Sequence, residues 1–142
     1  MVLRSIGTLA ISLALAGALA TAAAAQTTLR LNSQWPATAA GSKVDQWFAD
    51  EVRERTNGEV DIRIFWSEAL GRANENLNLM QSGAIDMGAM SAGYFPTQLP
   101  LHAAPNSIPM AMETVEQASE LMYRLATEVP GFSAEAEANG VR

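Results

Sequence analysis

The 142-residue sequence contains no cysteine and only one histidine. Without cysteine the chain cannot form disulfide cross-links, a lipid anchor on an acylated thiol, a thiolate nucleophile or a cysteine-ligated zinc site. His102 lies in a proline-rich stretch without a serine nucleophile motif, so a structural or solvated role is favoured over catalysis. Hydrolases that use a cysteine or a serine–histidine pair are therefore not supported.

Motifs for metals and nucleotides are also lacking. No group of His, Asp and Glu has the helical spacing of a zinc site, and acid pairs such as Glu51 and Glu54 lie on the polar face of a predicted helix. Gly41-Ser42-Lys43 lacks the earlier glycine of a P-loop, and no GxGxxG motif follows a strand. We therefore expect no catalytic residue, no metal and no cofactor.

Positive charge is scarce. The chain has 9 Lys and Arg residues against 15 Asp and Glu residues, which gives a formal net charge of −6. This balance makes nucleic acids and anionic lipid surfaces poor partners. It does not decide the charge of a small ligand, because a pocket can be locally positive on an acidic protein.

The first 25 residues have the order charged, apolar, small that is typical of a cleavable signal peptide. Arg4 is followed by the apolar run 6–19 and by the alanine-rich stretch 20–25. Small side chains at the last and third-last positions predict cleavage after Ala25, with Ala23 in the second pocket, and a cut one or two residues earlier is the alternative. An uncleaved membrane anchor is disfavoured, because small and polar residues dilute the run and no basic cluster follows. We expect an untethered product in the periplasm.

The rest of the chain alternates strand and helix patterns. Strands are predicted at 27–32, 59–66 and 85–90, and helices at 42–56, 73–81, 115–129 and 130–138. The βαβαβ order followed by a helix predicts an α/β fold. Residues 91–112 contain four prolines and are predicted as a loop, with room for a turn or short helical piece near 94–99.

Two patterns predict how these elements pack. The run 85–90 is almost continuously apolar, as expected for a strand covered on both faces. Apolar stripes at helical spacing are predicted on two helices. Their members are Val44, Trp47, Phe48 and Val52 on the first, and Val115, Ala118, Leu121, Met122, Leu125 and Val129 on the later one.

A ligand site is predicted where the strands end, because open α/β sheets bind ligands beyond the carboxyl ends of their strands. The loops there are Ser33–Pro36, Ser67–Asn74 and Met90–Tyr94. Their polar and aromatic candidates are Ser33, Gln34, Trp35, Asn74, Ser91 and Tyr94, with Arg72 as a further possibility. The alternative is that Trp35 or Tyr94 simply caps the core.

From residue 27 to residue 142 the chain resembles the solute-binding proteins of tripartite ATP-independent periplasmic (TRAP) transporters. The resemblance rests on the following segments: Leu29-Arg30-Leu31, the helix Lys43 to Thr56 closed by Asn57-Gly58, Val60 to Ile64, Leu70-Gly71, and Met80-Gln81-Ser82-Gly83-Ala84-Ile85-Asp86-Met87. The last segment, with Leu70-Gly71 before it, is the most specific.

The resemblance implies a type II periplasmic-binding-protein fold that captures organic acids and delivers them to one small and one large integral membrane subunit. It implies a receptor, not an enzyme. Carried over by position, the implied ligand contacts are Gln34, Trp35, Asn74, Met90, Ser91 and Tyr94. Ser91 and Tyr94 are neutral where some members place an acid or arginine, so a smaller or more apolar carboxylate is favoured over a sugar acid.

Members of this family are more than twice as long as the segment 26–142, which is therefore expected to be an incomplete N-terminal α/β lobe. Val141-Arg142 begin where a further strand is expected. The family's carboxylate-pairing arginine falls beyond that point, so Arg142 does not fill its role. Three alternatives stay open: the binding protein of an ATP-driven importer, an exported α/β enzyme, and an interaction module that no longer binds solute.

Overall fold

The protein's computed structural model describes residues 26–108 and 112–142. The predicted signal peptide lies outside the described residues. Along the chain the helices and strands are β1 Thr27–Ser33, α1 Ser42–Arg55, β2 Val60–Phe65, α2 Asn76–Gln81, β3 Met87–Ala89, α3 Pro100–Ala103, α4 Val115–Glu128 and α5 Pro130–Ala138. Short 3₁₀ turns at Ala73–Glu75, Ala92–Tyr94 and Ala104–Ser107 connect them. The predicted βαβαβ order followed by helices is confirmed.

The three described strands form one parallel sheet in the order β2-β1-β3. β1 pairs with β2 along most of its length, from Thr27 opposite Val60 to Asn32 opposite Phe65. Asn57 and Gly58, at φ 50° and 80°, turn the chain from α1 into β2, as the predicted helix end required. The central position of β1 gives it a neighbour on each side at its carboxyl end.

One core cluster joins α1 to the sheet. Leu31, Ala49 and Ile62 are buried together, and Val52 packs against them. The predicted apolar stripe of α1 is only partly correct, because three of its four members are exposed, namely Val44, Trp47 and Phe48. α1 meets the sheet through the short side chain of Ala49, which leaves the bulkier residues of the stripe outside this contact.

β3 is shorter than the predicted strand 85–90 and is half-buried rather than covered on both faces. Its ladder with β1 covers three residue pairs, from Leu31 opposite Met87 to Ser33 opposite Ala89. Asp86, just before β3, binds β1 through its carboxylate, which accepts from the backbone N–H of Arg30 at 2.8 Å and from Arg30 Nε at 2.9 Å. These bonds, the side-chain one foremost, hold the pKa of Asp86 below its usual range.

The predicted loop 91–112 is largely helical where it is described, which corrects the prediction. Prolines open helical turns here rather than excluding them, since Pro100 and Pro105 both stand near the start of a turn. The segment is held by a second core cluster of Leu77, Phe95 and Leu99. Residues 109–111 lie outside the described part.

α4 and α5 complete the described chain. Thr114 caps α4, since its hydroxyl accepts from the N–H of Gln117 at 3.2 Å. The Gln117 side chain accepts in turn from the N–H of Glu113 at 2.8 Å. The predicted stripe of α4 is mostly exposed, and none of its residues is buried. Within residues 26–108 and 112–142, no helix is long and apolar enough to cross a membrane.

Candidate ligand-binding site

The chain reverses its winding direction at β1, because β2 lies on one side of it and β3 on the other. Parallel sheets form a crevice at such a switch point, beyond the carboxyl ends of the two strands. Two contacts connect the loops at this switch point. Gln34 N–H donates to Ala89 O at 3.3 Å, and the Tyr94 hydroxyl lies 3.1 Å from Gln34 Oε1. The structure thus joins two of the sequence-predicted site residues.

The loop after β2 is joined to the same place. Ser67 N–H donates to Trp35 O at 3.0 Å and Glu68 N–H donates to Ser33 O at 2.9 Å. Both donors hold left-handed backbone angles, φ 57° at Ser67 and φ 61° at Glu68, which non-glycine residues rarely adopt. Trp35 is 50% exposed beside this junction, so its indole ring is accessible to a ligand.

Ser91 and Met90 have supporting contacts in the turn after β3. The Ser91 hydroxyl accepts from Gly93 N–H at 3.2 Å, which caps the 3₁₀ turn that carries Tyr94. Met90 packs against the second core cluster. These contacts orient the turn, and Tyr94 on it is 50% exposed.

Asn74 is exposed on the 3₁₀ turn Ala73–Glu75, and no hydrogen bond in the described part of the chain links it to the other five candidates. The buried asparagine of this region is Asn76, two residues later. Asn76 and Asn32 are both 0% exposed, and Asn32 Nδ2 donates to Asn76 Oδ1 at 2.7 Å.

The Asn32–Asn76 pair fixes the loop after β2. Asn32 Nδ2 also donates to Gly71 O at 2.8 Å, and Asn32 Oδ1 accepts from Leu70 N–H at 3.2 Å. Sequence reasoning missed this pair. A signal existed in Asn32, a polar residue at the end of a central strand, which must find partners when both faces of the sheet are covered.

The chemistry offered by the candidate residues is neutral hydrogen bonding and aromatic contact. Gln34, Ser91 and Tyr94 supply amide and hydroxyl groups, and Trp35 supplies an indole. Among the residues that the structure describes, no group of three or more His, Cys, Asp or Glu is arranged to hold a metal. This set of groups is suited to binding a small molecule.

His102 is engaged elsewhere. Its Nδ1 lies 2.7 Å from Glu135 Oε2, and its ring stacks on Phe132 with centroids 3.8 Å apart. Burial acts to raise the pKa of Glu135, but hydrogen bonds from Leu101 N–H and from the His102 ring and N–H outweigh it, so this pKa is lowered. These contacts join α3 to α5, in line with a structural role.

Residues 31–142 match the family described as bacterial extracellular solute-binding protein, family 7 (DctP). The chain belongs to this family. It is 35% identical over 78 residues to a solute-binding protein of Verminephrobacter eiseniae, a match that covers 55% of this chain and 23% of the relative. Family 7 proteins serve transport rather than catalysis and are extracellular or periplasmic.

Two solved structures show the same fold. One is a TRAP periplasmic solute-binding protein from Desulfovibrio salexigens, with a TM-score of 0.66 and 25% sequence identity. The match covers 73% of this chain and 32% of the Desulfovibrio chain. The other is a TRAP periplasmic solute-binding protein from Sulfitobacter, solved with bound β-D-galacturonate, with a TM-score of 0.59 and 26% sequence identity. The match covers 79% of this chain and 35% of the Sulfitobacter chain.

These likenesses confirm the predicted α/β periplasmic-binding-protein fold and the TRAP solute-binding family. The chain spans about a third or less of the length of these relatives. The six candidate ligand contacts, Gln34, Trp35, Asn74, Met90, Ser91 and Tyr94, stay predictions.

Proposed function

We propose that the chain captures a small organic acid in the periplasm, at the crevice between β1 and β3, for uptake by a TRAP transporter. The observation that carries this proposal is the contact of Tyr94 with Gln34 at the switch point, 3.1 Å between hydroxyl and amide oxygen. The TRAP solute-binding protein from Sulfitobacter with bound β-D-galacturonate, a sugar acid, supports the choice of a carboxylate. No contact among residues 26–108 and 112–142 favours the ATP-driven importer or the exported enzyme.

In this proposal residues 26–142 contribute to one lobe of a two-lobed receptor, and a small and a large membrane subunit accept the loaded form. The four residues of the crevice, Gln34, Trp35, Ser91 and Tyr94, are uncharged. A cation that pairs with the ligand carboxylate must therefore come from outside this group. One lobe alone leaves much of the ligand in water, so binding by this chain is expected to be weak.

We expect benzoate to bind more tightly than galacturonate, because Trp35 and Tyr94 offer aromatic surface and few polar groups. The measurement is a titration of the chain, expressed from Met1 and purified after export, followed by the indole N–H resonances in NMR spectra. Benzoate should shift the Trp35 resonance and leave that of Trp47 on α1 unchanged. The proposal fails if neither acid shifts Trp35, or if Trp47 responds instead.

Export by a cleaved signal peptide is the second part of the proposal. The chain expressed from Met1 should be recovered from the periplasm with the intact mass of residues 26–142. Replacing Ala25 by leucine should abolish cleavage, whereas the same change at Ala24, which fills neither pocket, should not. A purified chain that keeps residues 1–25, or equal processing of both variants, contradicts the assignment.

A further inference from the structure

The backbone of Trp35 is fastened at both of its polar groups. Its N–H lies 3.4 Å from Ser33 Oγ, which itself donates to Asp45 Oδ2 at 3.0 Å. Its carbonyl oxygen accepts from Ser67 N–H at 3.0 Å. Because Trp35 is 50% exposed, packing covers only part of its ring, and the backbone does most to set the position of the indole.

Ser67 and Glu68 hold this backbone through a conformation that is costly for both residues. Ser67 N–H donates to Trp35 O, and Glu68 N–H donates at 2.9 Å to Ser33 O. The two residues are consecutive and lie in the left-handed region, at φ 57° and 61°, where a Cβ atom crowds the backbone. Ser67 is exposed, so its part in these contacts is played by its backbone.

Contacts of the same loop keep this conformation in place. Glu68 Oε1 accepts from Ala73 N–H at 2.8 Å. The buried Asn32 side chain accepts from Leu70 N–H at 3.2 Å and donates to Gly71 O at 2.8 Å. Strained backbone persists only where the surrounding structure over-determines it, and such strain is concentrated at functional sites. Its occurrence directly beside a candidate ligand contact therefore points to a role in the site.

We infer that Ser67 and Glu68 are positioning residues, whose left-handed backbone holds the segment of Trp35 and thereby sets where the indole ring meets the ligand. This inference rests on the proposed function, because that function makes Trp35 a ligand contact. Neither positioning residue has to touch the ligand. At position 67 the sign of φ matters, and the serine hydroxyl does not.

The test compares valine with glycine at position 67 in the exported chain. A β-branched side chain strongly disfavours positive φ, whereas glycine adopts it freely. Without any ligand, Ser67→Val should therefore shift the indole N–H resonance of Trp35, and Ser67→Gly should leave it in place. The resonance of Trp47, on α1, serves as the internal reference and should not move in either variant.

Binding is measured on the same variants by titration with benzoate. Ser67→Val should lower the association constant about fivefold, the loss expected for one hydrogen bond, and Ser67→Gly should keep it within about twofold. Ile62→Val is the control for general destabilisation, because it removes a buried methylene from the first core cluster and leaves the loop after β2 unaltered. It should change neither the Trp35 resonance nor the association constant.

A second pair of variants tests the support from the Glu68 side chain. Glu68→Ala removes the acceptor for Ala73 N–H and should shift the Trp35 resonance in the same direction as Ser67→Val. Glu68→Gln keeps an acceptor oxygen at that place and should restore the resonance of the unaltered chain. Loss of the resonance position in Glu68→Gln as well would assign the effect to charge rather than to this bond, and would contradict the inference.

The inference is overturned if Ser67→Val leaves the Trp35 resonance in place, or if Ser67→Gly or Ile62→Val shifts it as far. It is also overturned if Ser67→Val binds benzoate as tightly as an unaltered chain that does bind it. The proposed function is decided separately, since it fails if the unaltered chain binds neither benzoate nor galacturonate. The spectra without ligand then still decide whether Ser67 and Glu68 position Trp35.

Discussion

Replacing Asn32 by alanine is expected to lower the free energy of unfolding by about 3 kcal/mol. Asn32 is fully buried at the carboxyl end of β1, and its amide nitrogen donates to Gly71 O and Asn76 Oδ1. Alanine leaves the buried Asn76 Oδ1 without its partner, and Gly71 O and the N–H of Leu70 lose theirs as well. Urea unfolding followed by far-UV circular dichroism measures the loss.

The matched control for this prediction is Asn78→Ala, since Asn78 is exposed on α2. Its effect should stay within about 0.5 kcal/mol. The double variant Asn32→Ala, Asn76→Ala should lose less stability than the two single variants together, because each single change already breaks the bond they share. Equal losses for Asn32→Ala and Asn78→Ala would show that the buried pair does not form in solution.

The elements with regular periodicity could be predicted from the sequence. Alternation over 59–66 and the helical spacing over 42–56 each placed an element to within about a residue of β2 and α1. The Asn57-Gly58 end of α1 was predictable as well, because that pair adopts positive φ angles readily. These signals are local, and local backbone preference decides them.

The surfaces that the helices bury could not be predicted in the same way. Periodicity identifies an apolar face but not what covers it. α4 has the clearest stripe, yet Val115, Leu121 and Val129 are exposed. α1 makes its contact through Ala49, which is the least conspicuous apolar residue of its helix. Only the three-dimensional neighbours decide such burial.

The sequence predicted the location of the candidate site better than it predicted which residues contact one another there. The rule that ligands bind where parallel strands end led to the loops of Gln34 and Tyr94, which the structure joins. The same rule singled out Asn74, although the asparagine that organises the region is Asn76. Asn74 lies in the 3₁₀ turn and Asn76 is the first residue of α2, so choosing between them requires the position of this boundary. The sequence gives little indication of where one element ends and the next begins.

Replacing Leu77 by alanine is expected to destabilise the chain by about 3 kcal/mol. Leu77 is 0% exposed on α2 and packs against Phe95 and Leu99. Alanine removes buried contacts and leaves a cavity, whereas Leu77→Met conserves volume and should cost less than about 1.5 kcal/mol. The free energy of unfolding in urea again measures the effect, with Leu121→Ala on the exposed surface of α4 as the control.

Leu77→Ala should also alter the surroundings of Met90 and Val141, because both residues pack against the second core cluster. Met90 begins the turn that carries Tyr94, so loosening the cluster should shift the methyl resonance of Met90 and weaken the binding of benzoate. Val141 follows α5, and its methyl resonances should shift as well. If Leu77→Ala destabilises the chain without moving Met90, the core does not support the candidate site, and the two must be regarded as separate parts of the fold.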